Sequence, residues 1–563
     1  MKALSLLPGL AGLASSLPAA APQSDRMLHD RAERVTVSLP HATVIGTTTS
    51  TVETFNGIPY AEPPVGPLRL KPPVRLERDL GEVDATGRAA ACPQMYLTTD
   101  NENKFLDIIG DFLTLPVLEP LTGREDCLTV NVQRPAGTKA GDKLPVLFWI
   151  FGGGFELGAT NAHDATGLIE ASAALDQPFV FVAVNYRVGA FGFMPGKEIL
   201  ADGSANLGLL DQRMGLEWTA DYVESFGGDP ERVTIWGQSS GSISVLDQMA
   251  LYGGNNAYRG RALFRGAIMN SGSIIPADGV DCPKGQAVYD KVVQTAGCGS
   301  APDTLACLRG LDYTEFLRAG NSVPGIVSYN SVALSYLPRP DGAALPDSPD
   351  RLVKRGAYAA VPMIIGSQED EGTVFSLFQP NLTTTPEVVA YLSDLFFQGM
   401  PKPDVEALVA TYPANVSAGS PFRTGVFNEL YPGFKRLAAL LGDLVFTLTR
   451  RAFLEAAVEV NPGVPAWSYL FSHEHGMPVL GTRHGAEMGA IFGATREDAH
   501  VYYVNFVNHL DPNVGEGSLL EWPEWKDGGK LMWFLRDGTD ILEDDFRGES
   551  AEFIKEHLDA LHI

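Results

Sequence analysis

Short, nearly unbroken apolar runs punctuate the chain at residues 144–150, 179–184, 233–236, 267–269, 361–366 and 466–471. Runs of this length, with little polar alternation, read as strands covered on both faces. Longer amphipathic stretches lie between them. That alternation predicts an α/β fold: one large, mostly parallel central sheet flanked by helices on both faces. The stretch from 373 to 465 is mostly helical in pattern and is expected to help wall a substrate site. The 563 residues are enough for more than one domain on length alone. No repeat or low-complexity linker divides them, so residues 22–563 read as one large domain enlarged by loop insertions.

The run at 233–236 ends in Gly237-Gln238-Ser239-Ser240-Gly241, and residues 240–246 can begin a helix. Strand, Gly-x-Ser-x-Gly and helix together form the setting of a nucleophile elbow, in which small flanking residues permit a sharp turn. The run at 144–150 ends in Phe151-Gly152-Gly153-Gly154-Phe155. Glycines after a buried strand can present backbone amides to a developing oxyanion, and Gly153, Gly154 and Ser240 are the candidates. A tight turn without function is the other reading of the triplet. No acid lies between Leu144 and Phe155; Glu156 follows directly.

A serine nucleophile needs a histidine base, and the base needs a carboxylate. His473, His475 and His484 follow the run at 466–471, with His484 placed between Arg483 and Gly485. Glu369, Asp370 and Glu371 follow the run at 361–366. The residues alone leave both choices open, a surface histidine and a solvated acidic turn included. The chain order serine, acid, histidine is that of the α/β-hydrolases.

At this point the sequence resembles the type-B carboxylesterase/lipase family, which includes cholinesterases, large secreted fungal lipases and sterol esterases. The resemblance rests on residues 55–70, on Glu125-Asp126-Cys127-Leu128, on the glycine triplet and on Asn185-Tyr186-Arg187. Residues 206–212 and Asn270-Ser271-Gly272-Ser273 extend it, so it runs from about Val37 to the last helix. The resemblance implies the α/β-hydrolase fold and a triad of Ser239, Glu371 and His484. It also implies disulfides Cys92–Cys127 and Cys298–Cys307, leaving Cys282 over. The elbow departs from the common family form: Gln238 stands where a glutamate is usual, and Ser240 where an alanine is. Activity is expected to survive both changes. The implied chemistry is ester hydrolysis through an acyl-enzyme, with no cofactor and no metal.

Residues 1–21 carry a weakly basic start, an apolar stretch and small residues at Ala19-Ala20-Ala21, and read as a secretory signal peptide. Secretion makes Asn381-Leu382-Thr383 and Asn415-Val416-Ser417 usable glycosylation sequons. The 68 acidic against 42 basic residues give a formal charge of −26. That charge opposes binding to nucleic acid and to anionic membranes. No later stretch is apolar enough for a transmembrane span.

Between Cys92 and Cys127, within 93–126, Phe105, Ile108, Ile109, Phe112 and Leu113 fall on one helical face. The segment resembles the lid of the large fungal lipases; a helix packed permanently on the core is the alternative. The leading expectation is a secreted lipase for long-chain acylglycerols, and for sterol esters as well, working at a lipid–water interface. A carboxylesterase for smaller or soluble esters is the rival. A choline-ester hydrolase is disfavoured by Gln238. A noncatalytic adhesion protein is disfavoured by the complete set of Ser239, Glu371 and His484.

Overall fold

The computed structural model describes residues 33–96, 123–493, 498–514 and 519–563. The expected signal peptide and the expected lid face of Phe105, Ile108, Ile109, Phe112 and Leu113 lie outside the described residues. Four strands open the described chain: β1 (Glu33–Leu39), β2 (Ala42–Thr48), β3 (Val52–Pro59) and β4 (Gly81–Asp84). The central strands follow as β5 (Thr129–Pro135), β6 (Leu144–Ile150), β7 (Val180–Val184) and β8 (Gly228–Gln238). A small hairpin, β9 (Ala257–Tyr258) with β10 (Arg261–Ala262), stands apart from the main sheet. The last strands are β11 (Gly266–Asn270), β12 (Met363–Gln368), β13 (Ala466–Phe471), β14 (Lys530–Leu535) and β15 (Gly538–Glu543).

Thirteen strands form one sheet in the order β1-β2-β3-β5-β7-β6-β8-β11-β12-β13-β14-β15, with β4 beside β2. From β7 to β14 every pairing is parallel. Every residue of β7, β11, β12 and β13 is buried. This explains the unbroken apolar runs: a parallel strand covered by helices on both faces has no solvent side to mark with polar residues. The antiparallel pairings lie on the flanks, β2–β3, β3–β5 and β5–β7 on one side and β14–β15 on the other.

The core beneath the site is aromatic. Trp149 on β6 meets Trp236 on β8 edge to face at 4.3 Å, and Phe492 stacks on Trp236 at 5.0 Å. Such pairs add stability beyond area burial and favour defined geometry. The Trp236 indole and the Tyr503 hydroxyl both donate to Asn270 Oδ1, at 3.0 Å each. They fix the end of β11, whose Asn270 carbonyl accepts the backbone amide of Ser239 at 2.8 Å.

The segments that carry the family resemblance pair with one another deep in the fold. Arg69 makes a two-pronged contact with Glu125, at 2.5 and 2.8 Å. Arg187 does the same with Asp211, at 2.8 and 2.7 Å. Removing one partner of such a buried pair strands the other charge and costs about 3–5 kcal/mol. Both expected disulfides are formed, Cys92–Cys127 and Cys298–Cys307. Cys282 is free and half-buried, and its sulfur accepts the Gly285 amide at the start of a helix. No helix among the described residues is long and apolar enough to cross a membrane.

Candidate active site

The elbow is built by β8 and by the helix Ser240–Gly254 that follows it at once. Between them Ser239 sits at φ 58° and ψ −127°. That conformation is costly for any residue with a Cβ, and it persists only where the surroundings enforce it. The enforcement is close packing. A side chain on Gly241 would overlap the Ile150 carbonyl at the end of β6, and one on Gly237 would overlap the Gly241 carbonyl. Both flanking positions therefore exclude anything larger than glycine.

The glycine triplet follows β6, the neighbour of β8 in the sheet. A Cβ on Gly152 would lie 2.5 Å from the Gln238 carbonyl and 2.9 Å from Ser239 Cβ. The triplet and the elbow thus approach to backbone contact. Gly153 and Gly154 both take positive φ, 127° and 64°. Among the described residues, the amides of Gly153, Gly154 and Ser240 donate to no acceptor. Glu156, whose direction the sequence leaves open, turns inward. It is buried, one oxygen accepts the Ile326 amide at 2.7 Å, and burial pushes its carboxyl up to about 8.

The three adjacent acids separate cleanly. Glu369 pairs with Arg423 at 2.5 and 2.6 Å. Asp370 accepts from Ser420 Oγ, the Phe422 amide and the Thr482 amide at 2.7–2.9 Å, tying the acid turn to residues 420–422 and to the histidine loop. Glu371 accepts the Gln368 amide at 2.7 Å on one oxygen and meets His484 Nδ1 at 2.5 Å with the other. The histidines separate as well. His475 lies 3.7 Å from Glu369, and His473 packs against Phe471. Of the three, only His484 meets Glu371, and its other ring nitrogen faces Gln238, the residue before Ser239. Its ring rests against Phe375 and Phe446, with centroids at 5.0 and 4.5 Å.

Gln238 contributes what the sequence did not show. Its Nε2 lies 3.2 Å from His484 Nε2. An amide donor there requires a lone pair on Nε2, and the Glu371 carboxylate requires a proton on Nδ1. The two contacts agree on one neutral tautomer, the one a general base needs.

A cleft opens beside Ser239. Gly154, Ser239 and Ser240 line it together with Ile243, Phe375 and Phe446. Phe375 and Phe446 come from the largely helical 373–465 stretch, which does wall the site as its pattern predicts. Asp247 also lines the cleft. The sequence held a signal for it, since Ser239, Ile243 and Asp247 recur at intervals of four and share a helix face. Both sequon asparagines, Asn381 and Asn415, are exposed.

Comparison with known proteins agrees with this arrangement. The carboxylesterase family model matches residues 33–530. A secreted triacylglycerol lipase of Gibberella zeae is 59% identical over 543 residues, covering 95% of this chain and 92% of that protein. A secreted lipase of Botryotinia fuckeliana is 53% identical over 572 residues, covering all of both chains. Among solved structures, Aspergillus niger EstA superposes with a TM-score of 0.79 at 27% identity, covering 94% of this chain and 99% of that one. The elbow, the glycine triplet and the full-length similarity converge: this chain belongs to the carboxylesterase family and is a carboxylic ester hydrolase of the α/β-hydrolase fold.

Proposed function

We propose that the protein is an extracellular lipase that cleaves long-chain acylglycerols, and sterol esters as well, at a lipid–water interface. The observation that carries this reading is the apolar cleft beside Ser239, walled by Ile243, Ile275, Val332, Leu337, Phe375 and Phe446. Such a wall favours an acyl chain by removing its methylenes from water, at about 0.8 kcal/mol for each one buried. A second observation supports the interface. Val426 and Phe427 are 67% and 74% exposed. Their loop is tied to the acid turn through Phe422 and to the histidine loop through Asn428, which accepts the Val479 amide. Apolar side chains exposed on a loop beside a site are suited to a lipid surface.

In this mechanism Ser239 Oγ attacks the ester carbonyl while His484 Nε2 takes its proton. Glu371 holds the Nδ1 proton and stabilises the imidazolium. The amides of Gly153, Gly154 and Ser240 donate to the oxyanion. Collapse of the tetrahedral intermediate breaks the ester C–O bond, and the imidazolium protonates the departing alcohol. Water, deprotonated by His484, then attacks the acyl-enzyme. The second tetrahedral intermediate releases the fatty acid and returns the proton to Ser239. The Gln238 amide has to yield Nε2 as the serine engages it, so Gln238 holds the resting tautomer without supplying charge.

The test is the initial rate on a triglyceride carried across its solubility limit, beside a sterol oleate emulsion and a soluble butyrate ester. Ser239→Ala is expected to abolish all three rates. Phe427→Ser is expected to lower the emulsion rates several-fold relative to butyrate. Simple saturation on butyrate with little emulsion activity would leave a carboxylesterase of small esters instead.

A further inference from the structure

Beyond the elbow serines Ser239 and Ser240, the cleft is lined by apolar side chains and by Asp247. Asp247 lies two helical turns beyond the serine, on the same face as Ile243, and all three residues line the cleft. Asp247 is 1% exposed, and its Oδ2 has no hydrogen-bond partner among the described residues. A buried carboxyl oxygen with no protein partner calls for an explanation. Burial alone pushes this carboxyl up to about 8, with no charged neighbour contributing. Burial therefore favours its neutral, protonated form. A protonated carboxyl offers one O–H donor and keeps acceptor capacity, which matches an alcohol in both directions.

We propose that Asp247 forms a polar subsite within the acyl cleft that selects ester substrates whose acyl chain bears a hydroxyl near its middle. This rests on the reading of the cleft as an acyl site. The position follows from helix geometry. Eight residues at 1.5 Å each place Asp247 about 12 Å along the axis from Ser239. An extended chain advances about 1.2 Å per bond, so a hydroxyl about ten bonds from the ester carbonyl comes level with Asp247. A chain of methylenes alone leaves the carboxyl unpaired, whereas a hydroxylated chain gives it both a donor and an acceptor. A site built to bond a substrate hydroxyl discriminates against the analogue that lacks it far more than an apolar pocket rejects an added hydroxyl. Ile243, between the serine and Asp247, keeps the first part of the path apolar, so the preference depends on where along the chain the hydroxyl stands.

The test measures kcat/KM for octadecanoyl esters that are plain or hydroxylated near the carboxyl, at mid-chain or near the methyl end. Each value is divided by the same protein's value on a soluble butyrate ester, so a partly misfolded variant lowers both terms together. Wild type is expected to prefer the mid-chain hydroxyl over the plain chain by roughly tenfold or more, the net worth of one buried hydrogen bond being on the order of 1 kcal/mol. Asp247→Leu is expected to reverse that preference, and Asp247→Asn, which keeps a donor and an acceptor, to retain part of it. Equal values for plain and hydroxylated chains in wild type, or a preference untouched by Asp247→Leu, would overturn the subsite and leave the lipase reading standing. Turnover of butyrate with no octadecanoyl ester accepted would overturn the acyl-site reading itself.

Discussion

Glu371 and Asp247 are both buried carboxyls, one beside His484 and the other in the cleft wall, and the fold treats them in opposite ways. Glu371 lies in the turn after β12, where a backbone amide and a histidine nitrogen take up its two oxygens. Asp247 stands mid-helix in an apolar wall, and its Oδ2 takes up nothing among the described residues. The first is satisfied within the protein, so its orientation is fixed before substrate arrives. The second is left for something that enters the cleft. Neither burial nor residue type distinguishes them; the partners supplied by neighbouring loops do.

The comparison breaks most sharply at the satisfied acid. Glu371→Gln keeps the shape but offers an amide to His484 Nδ1, which favours the wrong tautomer. The expected outcome is a fall in kcat on the order of 10⁴, as is typical when a triad acid loses its charge. Stopped assays on butyrate and on emulsified triglyceride should show equal losses. Asp247→Asn, by contrast, should alter the two substrates differently.

A smaller effect is expected at Gln238. Glu at this position would place a carboxylate 3 Å or so from His484 Nε2 and favour the imidazolium. The acidic limb of the kcat/KM profile should then move up, with little change on the alkaline side. An unmoved limb would mean that the Gln238 contact at Nε2 is not kept in solution.

The smallest effect concerns stability. Burial raises Glu156, Asp247 and Glu487 to about 8, with the charge of Glu371 adding to the shift at Glu487. Between the ordinary carboxylate range and about 8 the folded chain holds protons that the unfolded chain has released. Stability therefore falls as pH rises through that window. Tm should decline by several degrees from mildly acidic pH to pH 8, and Asp247→Asn should flatten part of that slope. A Tm that rises over the same window would contradict the neutral-acid assignment.

What could be read from the sequence follows the same physical divide. β6, β7, β8, β11, β12 and β13 announced themselves because burial on both faces leaves no polar mark to blur the run. The flanking strands did not. β1 is mostly exposed, and β5 alternates apolar residues with the buried polar Asn131 and Gln133. Those two side chains accept the backbone amides of Gly57 and Ala165, a role that no periodicity reveals. At the site, the serine and the glycine triplet were legible because close backbone packing demands glycine. The choice among Glu369, Asp370 and Glu371 was not legible from chemistry, since all three are buried acids in one turn. Which of them meets His484 follows from which loop faces each, and that is not written in the spacing. Gln238 reaches His484 across 246 positions of sequence, a contact that spacing cannot express.

The central claim is that Ser239 carries the acyl group. The most direct measurement is intact mass and peptide mapping after reaction with a long-chain alkyl phosphonate ester, with Ser239→Ala alongside. The account predicts one adduct per chain, on the peptide containing Ser239, forming in step with loss of esterase activity and absent from the variant. An adduct on another residue, or full loss of activity with Ser239 unmodified, would contradict it.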